Sequence, residues 1–283
     1  VLAPTLPDPV LSSLARATSR LEFAFARTRR RAVLSNLAQI ASSGRLSAAG
    51  PRSVTRTARA MFGSYHRFVL EYLAQGSIDS RALDTRFRFQ GMEFLYRALK
   101  PGRGAVVSAP HVGNWELAGI ALARLGFRVH VVTGVQFHGR LTRIARILKE
   151  RERILVSTPG DGFRPLLETL RRGGIVVLLT DGDVFVRSID TEFFGSRVPF
   201  PVGPAILARR AKVRLLHAHA ERRASGCHVI SFDGTESPEP SLSVEEDIRR
   251  ITRRVAEFQE RTIAARVDQW CVFRPLFARA GAD

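Results

Sequence analysis

His111 and Glu116 stand five positions apart in a segment where a short apolar run from Ala105 breaks at Pro110 and passes through Val112, Gly113 and Asn114 into a helix-like pattern. Inside one helix that spacing would turn the second side chain about 140° from the first, and the two would not meet. If His111 sits in a turn after a strand, Gly113 can take a backbone other residues avoid and Asn114 can cap a helix starting at Trp115. Glu116 then falls in the first helical turn and is expected to face back to the ring. An imidazole held at one nitrogen by a carboxylate takes a proton from a hydroxyl with the other, which is general-base chemistry. Backbone N–H groups at the helix start could steady negative charge on a carbonyl oxygen. The same residues would equally suit a polar helix start and an ordinary first-turn charge.

The elements around the motif must position it. Expected strands at Val129–Thr133, Ile154–Ser157 and Ile175–Thr180 alternate with helices over Leu141–Lys149 and Phe163–Leu170. That alternation predicts an α/β fold with a mostly parallel sheet flanked by helices on both faces, and ligands in such sheets sit beyond the carboxyl ends of the strands. Asp181 follows its strand as His111 follows its own, so both are expected at one crevice, although Asp181-Gly182 would also make a simple turn. Phe193 to Gly203 mixes aromatics, prolines and glycines and cannot be a regular helix; it suits an apolar loop over the crevice, or a plug in the core. Further strands are expected at Phe87–Phe89, Lys212–His219 and Val229–Phe232. His217 and His219 share a strand face, but no third ligand has a convincing spacing, so no metal site is predicted. Ser243 and Glu246 form a capping box for a long amphipathic helix carrying Ile248, Ile251, Val255 and Phe258 to about Arg266.

Toward the N-terminus, Leu11, Leu14, Leu21 and Phe25 recur on one side of a Val10–Arg31 helix and Arg16, Arg20, Arg27 and Arg31 on another. A basic amphipathic helix of this kind can lie among lipid headgroups or pack on a domain surface. After a linker from Gly44 to Pro51, a helix from about Val54 to Leu73 carries the stripe Met61, Tyr65, Phe68, Val69 and Tyr72, a core pattern. With 283 residues and 45% hydrophobic content the chain can bury one large core. Its 44 Lys plus Arg against 26 Asp plus Glu leave a net charge of +18, which attracts phosphates, anionic lipids or an acidic carrier. The longest strongly hydrophobic run, Ile175 to Leu179, falls far short of the ~20 residues of a membrane span. The N-terminal prolines Pro4, Pro7 and Pro9 do not suit a signal peptide. Cys227 and Cys271 are read as free thiols facing a reducing cytosol. No nucleic-acid motif accompanies the charge, and no nucleophile elbow of the Gly-x-Ser-x-Gly type appears.

His111 to Glu116, as H-V-G-N-W-E, resembles the His-x4-Asp/Glu motif of glycerolipid acyltransferases, and the wider pattern resembles the bacterial lipid A biosynthesis acyltransferase family, which includes lauroyl and myristoyl transferases and phosphatidylinositol mannoside acyltransferase. Asn36 after Arg29-Arg30-Arg31, the Gly102-Arg103-Gly104 lead, Arg151-Glu152-Arg153, Asp181-Gly182-Asp183, Phe193-Phe194-Gly195 with Gly203, and Gln269-Trp270 to Arg274 follow the family's order. Gly182 and Ala211-Lys212-Val213 depart from it, which bears on the acceptor pocket.

The resemblance implies transfer of a fatty acyl group from an acyl carrier protein or coenzyme A thioester to a hydroxyl of a glycolipid such as a lipid A precursor, with no cofactor. Phosphatidylinositol mannoside or a lysophospholipid are alternative acceptors. It casts His111 as base and Glu116 as its orienting partner, with Asn114, Arg151, Arg153, Asp181, Asp183, Phe194 and Gly195 around the substrates. It further implies a membrane-associating helix and linker over residues 1–50, a catalytic domain over 51–283, and a peripheral place on the cytoplasmic face of the bacterial inner membrane. A noncatalytic basic protein binding lipid or nucleic acid is the contrasting reading; it accounts for the charge but not for the His-Glu turn.

Overall fold

Two largely buried, mostly apolar segments, β2 (Ala105–Ala109), with Ser108 bonded to Thr180, and β5 (Ile175–Leu179), pair in parallel at the middle of the sheet. Both are covered on two faces, as continuous apolar strands require. The computed structural model describes residues 7–45, 50–74, 80–99, 102–134, 139–181 and 187–277. Five further strands complete the sheet: β1 (Phe87–Gln90), β3 (Val129–Val132), β4 (Leu155–Ser157), β8 (Leu215–Arg222) and β9 (His228–Glu236). Their order is β1-β9-β8-β2-β5-β3-β4. From β8 to β4 all neighbours run parallel; β9 is antiparallel to β8, and β1 runs with β9.

Successive side chains sort to the two faces, as the period of two demands. Val106, Val176, Leu178 and Leu215 meet helices α8 (Arg164–Arg171), α9 (Gly203–Ala211) and α10 (Val244–Ala265). Val107, Ile175 and Leu216 meet α5 (Met92–Leu99), α6 (Trp115–Arg124) and α7 (Gly139–Arg151). Each fully buried aliphatic side chain contributes roughly 1.5–3 kcal/mol. The expected α/β architecture, with helices on both faces and additional N-terminal helices, is the one observed. The capping box forms as expected, with Ser243 Oγ accepting from Glu246 N–H and the Glu246 carboxylate accepting from Ser243 N–H.

The N-terminal helix differs from expectation. It breaks at Ala26 into α1 (Asp8–Phe25) and α2 (Arg27–Ser42), because Ala26 takes ψ 70° and leaves the helical region. Both pack on α3 (Pro51–Leu73). Leu11, Ala15 and Ser19 face inward, so Leu11 belongs to the packed side, whereas Val10, Leu14, Leu21 and Phe25 remain exposed on an adjacent stripe. α1 therefore carries two apolar faces.

The expected apolar loop is a hairpin instead. Strands β6 (Ser188–Phe193) and β7 (Ser196–Pro201) pair antiparallel around Phe194-Gly195. A two-residue turn matching strand twist needs positive φ at both positions, and Phe194 has φ 50° and Gly195 φ 70°. Phe194 tolerates this because its N–H donates to Glu260 Oε1 at 2.6 Å, its carbonyl accepts from Gln39 at 2.9 Å, and its ring is fully buried against Phe193.

Candidate active site

His111 lies just past the carboxyl end of β2, and Asp181 just past that of β5; since those strands are adjacent and in register, the two side chains meet. His111 Nδ1 is 2.6 Å from Asp181 Oδ1, and the His111 backbone N–H donates to Oδ2 at 2.8 Å. Trp270, itself fully buried, donates its indole N–H to the same Oδ2 at 2.7 Å. Burial raises the Asp181 carboxyl, but the charge and hydrogen bonds of His111 and the Trp270 donor outweigh it, so its pKa lies below the usual carboxylate range. An ionised carboxylate on Nδ1 fixes the proton there and leaves Nε2 as the acceptor. The ring is 25% exposed, enough for a substrate hydroxyl to reach it.

The turn is fixed from the C-terminal side. His111 carbonyl accepts from Cys271 N–H at 2.7 Å, Gly113 N–H donates to Gln269 at 3.1 Å, and Val112 bridges to Trp270. Gly113 has φ 66°, and a Cβ there would stand 2.3 Å from the Ala220 carbonyl oxygen. Gly113→Ala is thus expected to lower stability by about 2 kcal/mol and displace the motif, read as a lower urea midpoint together with reduced acyl transfer.

Glu116 is not the acid on the ring. Helical side chains advance about 100° per residue, and Trp115 takes the direction of His111, edge-on at 5.0 Å between ring centroids. Glu116 points elsewhere, and its Oε1 accepts from Lys149 Nζ at 2.8 Å. Asn114 caps α6 as expected, its oxygen accepting from Leu117 N–H at 3.1 Å. Its amide donates to Glu71 Oε2 at 3.1 Å, and the residue is buried, so its side chain holds the turn.

Arg151 and Arg153 are exposed and lie before β4, at the amino edge of the parallel strands; His111 lies at the carboxyl edge. The structure does not bring them together. Arg151, with Lys149, ends α7, where a cation answers the negative helix terminus. Phe194 and Gly195 form the hairpin turn, the Phe194 ring buried in the core and Gly195 exposed. Asp183 lies outside the described residues. Among the described residues no group of three or more His, Cys, Asp and Glu is placed to hold a metal ion.

Residues that the sequence marks only as a core stripe, a helix start or a terminal signature complete the site. Phe273, Tyr65, Phe68 and Trp115 run as a chain of ring contacts to His111, with centroid separations of 4.9, 6.1 and 4.3 Å before the 5.0 Å contact to the imidazole. Arg29 lies over the Phe273 and Tyr65 rings and is ion-paired with Glu22 of α1. Beside Gly113 and Asn114 opens a cavity of about 490 Å³ with polar walls that include Ser64, Arg67, Arg222 and Gln269. Burial and the nearby Asp181 charge push the Cys271 thiol up, so it remains protonated and is a poor nucleophile.

Comparison with known proteins covers most of the chain. Residues 1–279 match the family described as bacterial lipid A biosynthesis acyltransferase. The chain is 30% identical over 233 residues to phosphatidylinositol mannoside acyltransferase of Mycobacterium tuberculosis (strain ATCC 25618 / H37Rv), covering 75% of this chain and 67% of that protein. It is 27% identical over 234 residues to the protein of the same name from Mycolicibacterium smegmatis (strain ATCC 700084 / mc(2)155), covering 77% and 71%. The chain belongs to the bacterial lipid A biosynthesis acyltransferase family and is an O-acyltransferase.

Proposed function

We propose that the chain transfers a fatty acyl group from a carrier-protein or coenzyme A thioester directly to a hydroxyl of a membrane glycolipid, with His111 as general base. The observation that carries this reading is the His111–Asp181 contact, which leaves Nε2 open beside an aromatic wall. The acceptor hydroxyl gives its proton to Nε2 as its oxygen attacks the thioester carbonyl. On collapse the C–S bond breaks and the leaving sulfur takes that proton, returning the imidazole to its starting state. Asp181 stabilises the transient imidazolium, and the first N–H groups of α6 face the developing oxyanion. No covalent enzyme intermediate is needed, which agrees with the raised Cys271 thiol.

The Tyr65–Phe68–Trp115 wall suits an acyl chain, and the polar cavity beside Gly113 suits a glycosyl headgroup; a lipid A precursor and a phosphatidylinositol mannoside both present such a group. The reaction is tested by incubating the protein with an acyl thioester with and without acceptor lipid. Thiol release that requires the acceptor, with a new ester in the lipid, supports the reading. Thiol release indifferent to acceptor would make the chain a thioesterase, and a burst of acylated protein would overturn direct attack.

Among the described residues no helix is long and apolar enough to cross a membrane. The proposed contact is peripheral, on the cytoplasmic face of the inner membrane, through residues 1–50. Val10, Leu14, Leu21 and Phe25 would dip into the headgroup layer while Arg16, Arg20 and Arg27 meet lipid phosphates. The catalytic part is residues 51–283. Phe25→Ser, at 78% exposure, should leave the fold intact and weaken binding to anionic vesicles about tenfold by cosedimentation. Undiminished cosedimentation would remove α1 from the interface.

A further inference from the structure

We propose that a second cleft, at the sheet edge opposite His111, binds the phosphate of a small soluble phosphate ester. Arg103 in the turn entering β2, Arg171 in the last turn of α8 and Arg210 in the last turn of α9 line a cavity of about 290 Å³ floored by Leu167, Leu170 and Val213. No carboxylate lines it. The neighbouring arginines make the contrast: Arg172 has Glu168 at 2.6 Å and Arg209 has Asp247 at 2.6 Å, whereas among the described residues Arg103, Arg171 and Arg210 have no acidic partner. Cations do favour helix carboxyl ends, which accounts for one arginine on each of α8 and α9 but not for Arg103.

Three guanidinium groups around one apolar-floored cleft repel each other, and a dianion among them relieves that repulsion while accepting paired N–H donors. Arg210 is steadied from the side by the Phe163 ring, 5.3 Å from its guanidinium carbon. A phosphate answers three cations better than a carboxylate of single charge. The volume holds the phosphate and a small organic group, not an acyl chain.

The cleft is separate from the acyl-transfer chemistry, because the length of β2, roughly 17 Å, lies between the two edges. α1 packs on α3, whose Tyr65 and Phe68 lead through the Trp115 ring to His111. The choice of a soluble ester over a lipid headgroup therefore rests on the membrane orientation proposed above, which turns this cleft toward water.

Thermal unfolding of the full chain at constant ionic strength, with inorganic phosphate, pyrophosphate or adenosine monophosphate, reads the site. These probes should raise the unfolding midpoint of the parent and of an Arg249→Gln/Arg253→Gln/Arg254→Gln control. They should bind about tenfold more weakly to Arg103→Gln/Arg171→Gln/Arg210→Gln, whose acyl-transfer rate stays at the parental value. Should the triple variant fold poorly, Arg103→Gln alone with phosphorus-31 line broadening makes the same comparison. Equal binding by cleft and control variants would overturn the proposal as general charge attraction. Response to phosphatidylglycerol vesicles but to none of the soluble probes would overturn it in favour of a headgroup. Acyl transfer is scored independently, so loss of the proposed reaction and loss of this site are distinguishable.

Discussion

Asp181→Asn lowers acyl transfer by about 10³–10⁴-fold, to the level of His111→Ala, with the fold retained. The amide keeps the size of the carboxylate and one acceptor oxygen, so the ring is still contacted. What disappears is the negative charge that stabilises an imidazolium and fixes the proton on Nδ1, 2.6 Å from Oδ1. Initial rates of acceptor-dependent thiol release, with near-ultraviolet circular dichroism as the check on folding, measure it. A rate within tenfold of the parent would show that His111 works without this acid. Because Asp181 is held below the usual carboxylate range, near 4, its protonation does not cause loss of rate between about pH 7 and 5. The sign follows from the direction of the shift: a lowered carboxyl remains ionised as pH falls and is neutralised only at still lower pH, where its contribution to stability is lost as well.

The α/β frame was legible because its signals are local and periodic. The mostly apolar runs Ala105–Ala109 and Ile175–Leu179 needed chiefly apolar neighbours on each face, and Ser243 with Glu246 needed only each other. The partner of His111 was not local. Asp181 lies seventy positions away and reaches the ring through the pairing of β2 with β5, which single-chain spacing does not encode. The alternation of strands did place both residues at one crevice, and that was as far as the pattern reached. Glu116 misled because a gap of five shows which residues are near along the chain, whereas the 100° advance per helical residue gives the ring's direction to Trp115. Arg151 and Arg153 illustrate a further loss: motif order says nothing about which end of a strand a loop occupies. In the sequence Trp270 stands only in a terminal signature; its donor role depends on the C-terminal segment folding back on Val112.

Glu116→Gln destabilises the protein by about 3 kcal/mol and leaves the rate per folded molecule within about threefold of the parent, the reverse of Asp181→Asn. The Glu116 carboxylate is 11% exposed and Lys149 only 4%, so the pair sits where water does little to shield a lone ammonium. Lys149 Nζ also lies 5.4 Å from the centre of the Tyr72 ring, and Tyr72 donates its hydroxyl proton to the Ala145 carbonyl at 3.0 Å. Glu116 therefore ties α6 to α7 and, through Tyr72, to α3, the helix that carries the aromatic wall. Neutralising Glu116 strands the Lys149 charge, whereas replacing both partners with apolar residues of similar volume restores much of the lost stability. Urea midpoints for Glu116→Gln and Glu116→Leu/Lys149→Met, set beside acyl-transfer rates scaled to the folded fraction, separate the two roles. A full loss of rate at unchanged midpoint would return Glu116 to the base; a lowered midpoint rescued by the double change would show that the motif acid acts by joining helices. Each change to Asn or Gln removes one negative charge, so a difference between them reports where that charge sits and not how much was taken away.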